Sequence, residues 1–121
     1  SEMCIRDRYW LSRIIYAESG NQPLDGKIAV GNVVLNRVAS PRFPNSVYEV
    51  IFQRNQFTPA ANGSINRTPS AESVVAAKLC LDGANTAGSA LYFVNPTVAP
   101  GSWASRNRPY VATIGAHAFY G

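Results

Sequence analysis

No stretch of this 121-residue sequence approaches the ~20 consecutive apolar residues needed to cross a bilayer, so no membrane insertion is expected. Charge is scarce: 15% of residues are charged against 46% hydrophobic, a balance that excludes a disordered chain and suits one compact domain. Cysteine is limited to Cys4 and Cys80, too few for the disulfide framework of a small secreted scaffold. Cys80 stands in an apolar helical pattern and is expected to be a buried free thiol. His117 is the only histidine. A hydrolytic zinc site takes three protein ligands, usually with at least two histidines, so no metal and no cofactor are expected. A nucleophile elbow and a glycine-rich phosphate loop are both missing. His117 therefore reads more readily as a strand histidine packed among Phe119 and Tyr120 than as the base for a serine. The net charge is +4, but the cations are scattered. With no block of about five like charges, a nucleic-acid arm is not expected; the mild excess favours anionic partners in general. No internal repeat or low-complexity segment occurs. The start of the chain lacks the basic segment and apolar stretch of a secretory signal.

What is present reads as alternating apolar patterns broken by turn residues. Residues 1–8 show no helical or strand pattern and are expected to be a non-native extension, the domain proper covering 9–121. Leu11, Ile14, Ile15 and Glu18 fall at helical spacing in a first helix from Tyr9 to Ser19, which Gly20 should end. Pro23 opens a second helix to about Ala39. Ile28, Gly31, Leu35 and Val38 form one stripe of it, and Ala29, Val30, Val33 and Val34 cover much of the rest. Such a helix belongs in the middle of a core. Ser46 should cap a short helix to Phe52, with Glu49 as capping-box partner, and Ser70 should cap another from Ala71 to Leu81. Residues 53–67 read as a polar, irregular loop. Ala90 to Asn95 reads as a strand stopped by Pro96, followed by a loop holding Trp103. Tyr110–Ile114 and His117–Tyr120 read as two short strands joined at Gly115. The expected class is α+β: four helices and a small sheet.

With metal and serine chemistry set aside, carboxylates remain. Asp25, Glu49 and Glu72 fall in early helical turns, where negative charge is favoured, and Asp82 belongs to an Asp-Gly turn. Glu18 differs. On a helical wheel it lies about 20° from Leu11, inside the apolar face. It also occupies the last turn of its helix, where the macrodipole disfavours an anion. Burial and dipole should both raise its pKa, as a carboxylic general acid near neutral pH requires. The pattern alone admits a buried structural glutamate bonded to an arginine or tyrosine equally well.

Ile14-Ile15-Tyr16-Ala17-Glu18-Ser19-Gly20, followed by Gly26-Lys27-Ile28-Ala29-Val30-Gly31-Asn32-Val33-Val34-Leu35-Asn36-Arg37-Val38, resembles the core signature of the spore cortex-lytic cell wall hydrolases. Phe43-Pro44, Gln56-Phe57-Thr58, Ala90-Leu91-Tyr92-Phe93, Asn95-Pro96 and the closing Ile114 to Tyr120 occur in that family's order. The resemblance covers roughly 9–121. It implies a compact lysozyme-like helical domain with a small antiparallel sheet, related to goose-type lysozymes and lytic transglycosylases, with its catalytic glutamate at Glu18. The implied substrate is the peptidoglycan glycan strand, cut between N-acetylmuramic acid and N-acetylglucosamine. Because one convincing carboxylate is available, the expected outcome is a 1,6-anhydro product; the alternatives are hydrolysis by the same glutamate and a non-catalytic glycan-binding domain. Gln56, Phe57 and Thr58 are expected in the sugar groove, Gln56 positioning the glycan and Phe57 stacking on a sugar face, with Tyr92 and Asn95 as further binding candidates. Hairpin packing and turn hydrogen bonding are equally open roles for these residues. Trp103 is either a groove wall or a satellite of the core. The protein is expected to act as a monomer at the cell wall, or to be phage-encoded and released at lysis.

Overall fold

The computed structural model describes residues 2–121, with side chains from Ile5 onward. Cys4 lies outside the residues whose side chains are described. Helix α1 spans Glu2–Ser19 and so begins well ahead of Tyr9. Residues 2–8 hold neither proline nor glycine, and extending an existing helix is far easier than starting one. Arg6 lies over the Tyr48 ring at 4.9 Å, tying this first part of α1 to the third helix.

Helix α2 covers Leu24–Ala39, with Pro23 at its N-cap. Helix α3 (Val47–Phe52) starts at Ser46, whose hydroxyl accepts from the Glu49 N–H, and α5 (Ala71–Leu81) starts at Ser70, which accepts from the Ser73 N–H. The expected polar loop between them is partly helical. It contains α4 (Thr58–Asn62) and a 3-10 turn (Ser64–Asn66). Pro59 supplies the fixed φ that suits a first helical turn, and Gly63 closes α4 at φ 84°. Helix α6 (Trp103–Asn107) replaces the expected loop around Trp103, capped by the Ser102 hydroxyl. Strands β1 (Tyr92–Val94), β2 (Tyr110–Ile114) and β3 (His117–Tyr120) form an antiparallel sheet in the order β1-β3-β2. Tyr92 pairs with Tyr120 across β1–β3, and Ile114 with His117 across β2–β3. The class is the expected α+β arrangement, with more short helices than the sequence pattern reveals.

The core lies between α1, α2 and α5. Leu11, Ile14 and Ile15 of α1 meet Ile28, Ala29, Val30, Val33 and Val34 of α2, with Ala76, Ala77 and Cys80 of α5 opposite. Each large aliphatic side chain here contributes about 1.5–3 kcal/mol on burial. The helices approach so closely that a Cβ on Gly31 would sit 2.6 Å from Cys80 Sγ and 3.0 Å from Ile15 Cδ1. The Cys80 thiol is buried as expected and donates to the Ile28 carbonyl; burial pushes its pKa up to about 12.

Polar residues of α2 anchor the segment between α5 and β1. Asn32 donates to the Ala84 carbonyl (2.8 Å) and accepts from the Thr86 N–H (2.9 Å). One turn on, Asn36 donates to the carbonyls of Gly88 (3.0 Å) and Ala90 (2.9 Å). Lys27 is almost wholly buried, yet its ammonium donates to the Gln22 carbonyl and pairs with Glu72 of α5 at 2.8 Å. The β2–β3 turn docks on the α1–α2 connection, where the Gln22 side chain accepts from the Ala116 N–H at 2.9 Å. Gly115 in that turn has φ 59°, and a Cβ there would run into the same glutamine.

Candidate active site

Glu18 sits in the last turn of α1, half-buried, and opens onto a cleft of about 470 Å³. Tyr16, Asn21, Ser64 and Arg67 line that cleft with it, and no other carboxylate among the described residues does. The wall opposite α1 is held by Arg13, whose Nη1 donates to the carbonyls of Asn66 (2.9 Å) and Arg67 (3.0 Å). Burial raises the Glu18 pKa, with no hydrogen bond or ion pair among the described residues to offset it. None of the described residues gives Glu18 the arginine or tyrosine partner that the structural alternative calls for.

A second cavity of about 500 Å³ lies beside β1, lined by Arg37, Phe43, Gln56, Tyr92, Phe93 and Trp103 among others. Arg37 comes off α2 at its buried C-terminal turn. Its Nε donates to the Leu91 carbonyl (2.7 Å) and its Nη1 to Gln56 Oε1 (3.1 Å). Its guanidinium lies over the rings of Phe43, Phe57 and Tyr92 at 4.7, 5.2 and 5.3 Å. Burial brings the Arg37 pKa down to about 10, an effect eased by the Tyr92 phenol.

The residues expected in a sugar groove thus separate. Gln56 and Tyr92 share the second cavity rather than the Glu18 cleft. The two spaces are linked by one segment, since 55–56 line the second and Ser64 and Arg67 line the first. Thr58 is exposed as the first residue of α4 and lines neither. Asn95 caps a turn, its Oδ1 accepting from the Thr97 N–H at 3.0 Å. Phe57 requires a correction: its ring is 5% exposed and belongs to the core, packed 6.2 Å from Phe93, so it has no free face for a sugar. Its polar neighbours in sequence hide an apolar anchor for α4. Trp103 is 54% exposed and packs its edge against Tyr92 at 5.5 Å, as a wall of the second cavity. His117 is buried against Phe93 and Phe119; burial lowers its pKa, and its Nδ1 has no partner among the described residues. Among the described residues, no three of His, Cys, Asp and Glu gather around one point. Sequence reasoning missed Arg37, Ser64 and Arg67. For Arg37 a signal existed: a charge inside an apolar helix, the same feature that marks Glu18.

The family model described as Cell Wall Hydrolase matches residues 21–120. The chain belongs to the cell wall hydrolase family. The matched span starts just after Glu18, so membership rests on the rest of the domain. The spore cortex-lytic enzyme of Bacillus cereus is 39% identical over 109 residues, covering 90% of this chain and 42% of that protein. The Bacillus subtilis enzyme of the same name is 38% identical, covering 90% of this chain and 35% of that protein. The chain therefore spans well under half the length of these curated relatives. Among solved structures, the catalytic domain of the germination-specific lytic transglycosylase SleB from Bacillus anthracis superposes with a TM-score of 0.87 at 38% identity, covering 95% of this chain and 93% of that one. The catalytic domain of the Bacillus cereus SleB protein gives a TM-score of 0.88, also at 38% identity, over 97% of this cell wall hydrolase chain and 91% of that one. The lysozyme-like domain that the sequence resemblance implies is the fold found.

Proposed function

We propose that this cell wall hydrolase domain cleaves the β-1,4 bond between N-acetylmuramic acid and N-acetylglucosamine in peptidoglycan, with Glu18 as acid and then base. The observation that carries this reading is the lone, unpaired Glu18 carboxyl in its cleft, held protonated to higher pH by burial. The likeness to spore cortex-lytic enzymes and to SleB catalytic domains supports it. Action on wall peptidoglycan places the proposed work outside the cytoplasm.

Two-carboxylate glycosidases keep their second carboxyl roughly 5–10 Å from the first, across the scissile bond. No second carboxyl among the described residues lines this cleft, which favours a nucleophile supplied by the substrate. Protonated Glu18 donates its proton to the bridging oxygen as the bond from C1 breaks. The resulting carboxylate takes the proton of the muramic C6 hydroxyl while that oxygen bonds to C1. A 1,6-anhydro ring closes, Glu18 is protonated again, and no water is consumed. Holding nucleophile and electrophile in one sugar gives the step its proximity advantage.

Digestion of purified peptidoglycan with mass spectrometry of the products tests this reading. Muropeptides lighter by one water than the reducing products are expected. Reducing muramic ends would instead assign hydrolysis to the same site, and the absence of soluble fragments would contradict cleavage altogether.

A further inference from the structure

Arg37 lines the second cavity, two more arginines stand beside it, and none of the three has an ion-pair partner among the described residues. Arg37, Arg42 and Arg108 all converge on Tyr92. Arg37 lies over its ring at 5.3 Å, Arg42 donates from Nη2 to the phenol oxygen at 2.9 Å, and Arg108 lies 5.7 Å from the ring centre while donating to the Gly121 carbonyl. Among the described residues, no aspartate or glutamate lines the cavity, and the one ion pair is Lys27–Glu72. Arg37 uses Nε and Nη1 on Leu91 and Gln56, whereas its Nη2 has no acceptor among the described residues. Gln56 and the Leu91 carbonyl hold this guanidinium in one orientation, so it needs no ordering when a ligand arrives. Trp103, more than half exposed, adds an apolar wall.

Guanidiniums beside aromatic faces suit a planar anion attached to an apolar body, because the fork of N–H groups matches two carboxylate oxygens. On a peptidoglycan strand, the group of that kind is the stem peptide on each muramic residue. We infer that the cavity lined by Arg37, Tyr92 and Trp103, with Arg42 beside it on the Tyr92 hydroxyl, is a subsite for a carboxylate of the stem peptide. The segment from Asn55 to Arg67, which lines both spaces, runs from this subsite to the Glu18 cleft. Such a subsite rests on peptidoglycan being the substrate, as proposed for the Glu18 cleft.

The test uses the whole chain carrying Glu18→Gln and three soluble, uncrosslinked ligands measured by calorimetry. These are glycan strands with tetrapeptide stems, the same strands stripped of stems by an amidase, and strands whose stem carboxylates are converted to amides. Stem-bearing strands are expected to bind about tenfold tighter than the other two, a difference near 1.4 kcal/mol. Adding Arg42→Gln, at an exposed position, should erase most of that preference. Equal binding of all three ligands, or a preference untouched by Arg42→Gln, would overturn the subsite while leaving the peptidoglycan reading intact. Failure of every strand to bind would overturn both.

Discussion

Glu18 carries a burial cost on its ionised form that no ion pair among the described residues offsets. Burial raises its pKa, so the protonated form suits the folded state and the ionised form does not. By linkage, its favourable contribution to stability is complete below the ordinary carboxylate pKa and is lost as pH rises through the raised one. Glu18→Gln should therefore raise the melting temperature at neutral pH, with a smaller gain at about pH 4. A gain that grows toward acid would contradict the burial argument. Cleavage that needs the protonated acid should also persist to a pH above the ordinary carboxylate range, a limb that a pH–rate profile would locate. At this scale the sequence was half legible. A carboxylate on the stripe of Leu11, Ile14 and Ile15 was visible because helical spacing alone puts it there. Arg37 carries the same kind of signal, yet among scattered cations it reads as surface charge. What sets it apart, the Leu91 carbonyl and the rings of Phe43, Phe57 and Tyr92, comes from distant segments.

At the scale of elements, the close packing of α1, α2 and α5 depends on the missing side chain of Gly31. Gly31→Ala should destabilise by roughly 1–3 kcal/mol in denaturant unfolding, because its methyl would press on Cys80 Sγ and Ile15 Cδ1. Cys80→Ala should recover part of that loss in a double-mutant cycle, and strict additivity would mean that the two groups do not meet. Asn32 joins α2 to the segment leading into β1. Asn32→Leu leaves the Thr86 N–H and the Ala84 carbonyl without their partner, and should cost about 1–3 kcal/mol in the same measurement. Elements with long periodicity or a side-chain cap were the legible ones: α2, α3, α5 and the β2–β3 hairpin stand where spacing, Ser46, Ser70 and Gly115 put them. Helices α4 and α6 escaped because five residues are too few to show a period. Their marks were local, Pro59 in a first turn and Ser102 ahead of Trp103, and each equally suits a loop. The start of α1 was missed because charged residues without an apolar stripe say little about helicity, even where nothing breaks the helix.

Across the whole molecule, the fold brings the end of α1 and a 3-10 turn together at one cleft and sets the β1 edge beside a second, from segments far apart in sequence. The β2–β3 turn rests on Gln22, four residues beyond Glu18, so one hydrogen bond ties the sheet to the segment that follows α1. A sequence pattern gives the strands but not this docking, which depends on a single amide reaching the Ala116 N–H. The net charge of +4 acts at the same scale. An anionic wall should attract the domain over about one Debye length, roughly 10 Å at 0.1 M salt and 3 Å at 1 M. Sedimentation with purified walls should therefore show binding that weakens as salt rises; salt-independent binding would mean that contact chemistry alone holds the protein there. The most direct test is release of soluble muropeptides from purified peptidoglycan by Glu18→Gln, with folding monitored by thermal melting. If Glu18 is the acid, release should fall by roughly 10²–10⁴-fold while the variant melts no lower than the parent chain. Release within a few fold of the parent, from an equally stable variant, would contradict the assignment of Glu18 as the catalytic acid.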